Sequence, residues 1–175
     1  MIKDCNASFS IASVKVSMYN LNRNKFKLYT IISQVIRNLA RDYLYQYQFK
    51  GDATVQKRLL EGGYFRAKTA IIVAFLENLI ESGYDVVHAF FDICIFFQEL
   101  NYGREFNENH PNTPLFPPQP ELIKLFNEQL EEEGSNEGID SALFSSAQYD
   151  NIPISIDALQ TMNIILNISK NLTNI

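Results

Sequence analysis

The stretch that most constrains this chain runs from Gly62 to Gly103, GGYFRAKTAIIVAFLENLIESGYDVVHAFFDICIFFQELNYG. It is the most apolar part of the molecule, and its glycines cut it into two helix-length pieces. In the first, Tyr64 to Ile80, Phe65, Ile72, Phe75, Leu76 and Leu79 recur at helical spacing, with Arg66, Glu77 and Glu81 opposite. Gly83 suits a left-handed position after that helix, and Asp85 an N-cap for the next.

The second piece, Val86 to Leu100, is nearly all apolar. Its polar members Asp85, His88, Asp92 and Glu99 still fall on one narrow stripe of helical period. A strand would place polar groups on alternate residues, so the pattern argues helix. The stripe is expected to meet water or a polar partner, while the wide apolar remainder packs on more than one neighbour. Each piece is too short and too charged to span a bilayer. The expected fold is therefore all-α: a bundle of about five to six helices around a central antiparallel helical hairpin.

The other segments are read as wrapping that hairpin within a single domain, 1–175. Residues 1–24 read as an arm or short strands, because the parity of apolar residues changes midway. Lys25 to Phe49 is strongly amphipathic. Leu28, Ile32, Val35, Ile36, Leu39, Tyr43 and Tyr47 form the expected inner face, with Arg37 and Arg41 one turn apart on the outer face. Gly51 ends that helix and Asp52 caps a short one carrying Lys57 and Arg58. Residues 107–120 form a proline-rich loop, and Pro120 suits the first turn of the helix after it. Residues 134–153 read as an acidic, serine-rich mobile loop, with room for a turn of helix around Ala142. Ser155 to Leu172 is a last amphipathic helix, with Ile156, Leu159, Met162, Ile165 and Leu166 expected inward.

Charge is distributed unevenly. The net −5 conceals a first segment, 1–70, with 12 of the 15 Lys and Arg but 4 of the 20 Asp and Glu. Either the two parts neutralise each other or each offers a charged face to a partner.

No motif specifies a chemistry. There is no Walker loop, no dinucleotide fingerprint and no His-Glu-x-x-His. A metal site built from Glu77, Glu81, His88 and Asp92 lacks the Glu-x-x-His pairs of di-iron bundles, so neither metal nor cofactor is expected. Cys94, mid-helix among phenylalanines, is poorly placed as a nucleophile. Lys68, on an apolar face, is expected to pair with Glu99. Two cysteines make no disulfide framework, and no signal peptide is evident, so a cytoplasmic location is expected.

These absences favour a non-enzymatic protein that binds other macromolecules: an adaptor, chaperone-like factor or accessory subunit, with a protein partner or homo-oligomer. Leu115 and Phe116, in the proline-rich loop, either pin it to the core or dock a partner; Tyr45 is a further candidate contact. The alternative is nucleic-acid binding by the basic, tyrosine-rich first part, through Lys25, Lys27, Arg37, Arg41, Lys57 and Arg58.

Overall fold

The computed structural model describes residues 13–16, 27–76, 83–132 and 135–172. Within them the chain is an all-α bundle. The helices are α1 (Lys27–Phe49), α2 (Ala53–Glu61), α3 (Tyr64–Leu76), α4 (Gly83–Tyr102), α5 (Pro120–Glu132), α6 (Ser135–Leu143) and α7 (Ile154–Leu172). A two-residue hairpin, β1 (Gln148–Tyr149) with β2 (Ile152–Pro153), joins α6 to α7. Residues 13–16 form a helical turn, not a strand, and its Val14 reaches the core.

The central hairpin is α3 against α4. Tyr64 and Phe65 pack on Phe96, and one turn further along α3 Lys68 meets Asp92, one turn earlier on α4. Partners that advance on one helix and retreat on the other are the mark of an antiparallel pair. Helix α4 also packs on α5 and α7, as its wide apolar circumference requires. The centre is aromatic. Phe65 stands edge-on to Phe96 and Phe126, with ring centroids 4.6 and 4.2 Å away. Offset and edge-on rings are the favoured geometries for such pairs.

Local chemistry explains most boundaries. Asp52 accepts from the Val55 N–H at 3.1 Å, capping α2 as its position suggests. Gly63, at φ 81, turns the chain from α2 into α3. At Gly103, φ is 77 and an added Cβ would lie 2.6 Å from the Phe116 carbonyl oxygen, so only glycine fits. Pro120 opens α5.

Four expectations need correction. Gly83 is not left-handed; it is the first residue of α4, its Cα packed against the Tyr149 ring. Asp85 is accordingly inside the first turn rather than capping it. Residues 135–143, expected to be loop, are helix α6, because Ile139 and Ala142 reach the core despite their polar neighbours. Asp150 and Asn151 then take positive φ, the conformation a two-residue hairpin turn demands.

The fourth concerns which way α1 and α7 face. On α1 the buried row is Arg37, Arg41, Leu44, Tyr47 and Gln48, with Arg37 only 1% and Arg41 only 7% exposed. Val35 (53% exposed), Ile36 and Leu39 (64%) point away from the bundle. On α7, Ile154, Ala158, Thr161 and Ile165 are buried, whereas Ile156, Leu159 and Leu166 are exposed. The expected inner faces are thus largely outer ones.

Arg104, which follows α4, ties the proline-rich loop to the bundle. Its Nε and Nη2 donate to the two Glu99 oxygens at 2.8 and 2.6 Å. Nη1 donates to the Gly51 carbonyl at 2.6 Å and Nη2 to the Gln48 carbonyl at 3.1 Å. The Gln48 carbonyl is in the last turn of α1 and the Gly51 carbonyl just beyond its end, where carbonyls lack intrahelical donors and favour a cation. Nη1 also reaches the Pro114 carbonyl, and the guanidinium lies 4.7 Å over the Phe116 ring. Arg104→Ala is expected to cost about 3 kcal/mol or more, since it leaves a largely buried carboxylate alone. Urea unfolding measures this, and limited proteolysis should then cut first within 105–119. A loss below about 1 kcal/mol would contradict the assignment.

Candidate functional site: a buried charge line and two outward apolar rows

The three carboxylates of the polar stripe on α4 turn inward, while its His88 is exposed, and each carboxylate takes a cation from a different part of the chain. Asp85 pairs with Arg41 of α1 at 3.3 Å, Asp92 with Lys68 of α3, and Glu99 with Arg104. Lys68 and Asp92 are each only 3% exposed. The expected Lys68–Glu99 pair does not form, because Arg104 occupies Glu99 with a two-point contact and Asp92 lies level with Lys68 across the antiparallel hairpin. The Lys68 ammonium also lies 5.1 Å from the Tyr64 ring centroid.

Between α1, α3 and α4 lies a cavity of about 520 Å³ lined by Arg41, Tyr45, Lys68, Tyr84, His88 and Asp92, among others. The fully buried Tyr64 hydroxyl nearby donates to Gln48 Oε1 at 2.6 Å. Burial first, then the Asp92 charge, holds that phenol well above its ordinary range. Tyr45 is pushed up for the same reasons in the same order, with Glu99 adding a smaller effect. Two phenols kept protonated, beside a lysine already paired, describe a structural polar layer rather than a base poised for proton transfer.

The metal alternative gains no support. Glu77 and Glu81 lie outside the described residues, and His88 is exposed with its ring 4.1 Å from that of Tyr84. Among the described residues no group of three or more His, Cys, Asp or Glu is able to hold a metal ion. Cys94 approaches Thr161 Oγ1 at 3.1 Å beside a small cavity of about 210 Å³. Burial raises its thiol pKa, which the Thr161 contact only partly offsets.

The candidate binding residues separate. Phe116 is buried under Arg104, pinning the loop, while Leu115 beside it is exposed. Tyr45 is half-buried and stacked on Phe49 at 6.1 Å. Of the basic set, Arg37 and Arg41 are buried rather than on an outer face, Lys57 pairs with Glu61 on its own helix, and Arg58 is half-buried. Lys25 and the Lys27 side chain lie outside what is described. Among the described residues these do not form a continuous exposed basic stripe.

Sequence reasoning passed over the outward apolar rows. Val35, Ile36 and Leu39 form one on α1. Ile156, Leu159, half-buried Met162 and Leu166 form the other along one side of α7. Their periodicity was plain; the signal that they face out is the buried Asp85, which draws Arg41 and with it the opposite side of α1. No described helix is long and apolar enough to cross a membrane. Compared with known proteins, the chain matches no family model, no curated sequence and no solved structure.

Iodoacetamide at pH 8 should alkylate Cys94 at least tenfold more slowly than a solvent thiol, because a raised pKa leaves less thiolate at that pH. The rate should climb as pH increases further. Peptide-resolved mass spectrometry measures this; labelling as fast as free cysteine would return Cys94 to consideration as a nucleophile.

Proposed function

We propose that this protein is a non-enzymatic helical binding module, an adaptor or accessory subunit whose partner is another protein. The observation that carries the reading is that two long helices, α1 and α7, turn apolar rows away from the core, α1 while burying its two arginines. Scattered exposed apolar residues are ordinary, but rows at helical spacing on α1 and α7 are the surface a protein partner covers. Among the described residues the carboxylates Asp85, Asp92 and Glu99 are each paired with a cation and Cys94 meets Thr161, which gives a catalytic reading little to start from.

The nucleic-acid alternative draws less support, because Arg37 and Arg41 spend their charge inside the bundle. It predicts an electrophoretic shift at low salt that is lost when Lys57 and Arg58 are changed to Glu; a flat titration removes it.

Light scattering of the natively purified protein should give a mass above the 20.1 kDa monomer, from self-assembly or a co-purified partner. Leu39→Glu or Leu159→Glu should return it to the monomer with stability unchanged to within about 0.5 kcal/mol, as expected of surface positions. A clean monomer at all concentrations, with no companion protein, would overturn the proposal.

A further inference from the structure

Helices α5, α6 and α7 enclose a groove of about 750 Å³. Its floor is apolar: Leu130 of α5, Ile139 of α6, and Met162, Ile165 and Leu166 of α7. Leu166 belongs to the exposed row of α7, so the floor runs on into that row without a break. The rim has a different character. Among the described residues, Glu121, Glu128 and Glu131 of α5 and Asp140 of α6 stand around it with one lysine, Lys124. All five are exposed, and none takes part in an ion pair among the described residues. The three carboxylates of the α4 stripe, Asp85, Asp92 and Glu99, are each matched by a cation; the groove has four carboxylates around an oily trough.

We propose that this groove receives an amphipathic helix of a partner protein whose flanking positions carry lysine or arginine. The proposal rests on the protein-binding reading above and specifies the partner's chemistry. Helix-in-groove recognition uses apolar anchors at helical spacing for affinity, and complementary charges at the margin for choice and orientation. The 13 residues of α5 give a wall roughly 20 Å long, enough for three to four turns of such a helix. A second copy of this chain is a poorer occupant. The exposed row of α1 carries acidic Asp42 on its solvent side and buries its arginines, so it offers the acidic rim no matching cations.

The test uses two fluorescein-labelled four-turn helical peptides with the same leucine face, one carrying lysine at all other positions and one glutamate. Fluorescence anisotropy against the full-length protein should show the lysine peptide binding at least tenfold more tightly than the glutamate peptide. The difference should shrink several-fold as salt rises past about 0.1 M, where the screening length falls to about 10 Å. Leu166→Gln should weaken the lysine peptide, and Leu39→Gln on α1 should not. Glu128→Lys/Glu131→Lys should reverse the preference; if that variant does not fold, Glu128→Gln/Glu131→Gln should abolish it.

Equal binding of both peptides, insensitivity to the rim substitutions, or no binding at all would overturn the assignment. So would a groove closed by a second copy, seen as Leu166→Gln dissociating a homodimer. If the native protein assembles through Leu39 while the lysine peptide fails to bind, the groove assignment falls and the general binding reading stands.

Discussion

Three carboxylates spaced seven residues apart on the most apolar helix of the chain cannot be left without partners. Taking an unpaired carboxylate out of water costs several kcal/mol, far more than misplacing a few methyl groups. The bundle resolves this by bringing a different cation to each: Arg41 from α1, Lys68 from α3 and Arg104 from the segment after α4. Each pair fixes one relationship. Lys68 with Asp92 sets the register of the central hairpin. Arg104 with Glu99 places the proline-rich loop and closes the end of α1. Arg41 with Asp85 turns α1 about its own axis. Buried ion pairs of this kind contribute little net stability compared with apolar replacements of the same shape; their effect here is to select one arrangement among several that an oily hairpin would otherwise permit.

The lopsided charge of the chain has part of its explanation in the same pairs. Arg41 and Lys68 come from the basic first part, Asp85 and Asp92 from the acidic remainder, so the parts meet and neutralise inside the bundle. Part of the excess acid that remains, Glu121, Glu128, Glu131 and Asp140, borders the groove, which links the charge distribution to the proposed binding role.

Much of the fold was legible. The antiparallel hairpin, the cap at Asp52, the turn at Gly63 and the start of α5 at Pro120 all follow from local rules that depend on neighbouring residues alone. What was not legible depended on residues far away in sequence. The apolar row Val35, Ile36 and Leu39 reads as an inner face by any measure that weighs each residue by itself. Only a carboxylate buried in the first turn of α4 makes the arginine side the one that faces in, with the Arg41 head on Asp85. Arg104 gave no warning, because a lone arginine after a glycine has no period to belong to. Helix α6 was hidden by Gly138 and its serines, which lower helix propensity but leave two well-placed apolar residues to anchor it.

The double-mutant cycle on Lys68 and Asp92 tests most directly whether such pairs govern the structure. Lys68→Met and Asp92→Leu should each cost about 3–5 kcal/mol in chemical denaturation, because each strands a buried charge, while the double variant should regain most of that loss. Single variants within about 0.5 kcal/mol of the parent, as for a solvated pair, or a double variant that simply adds the two losses, would contradict the account.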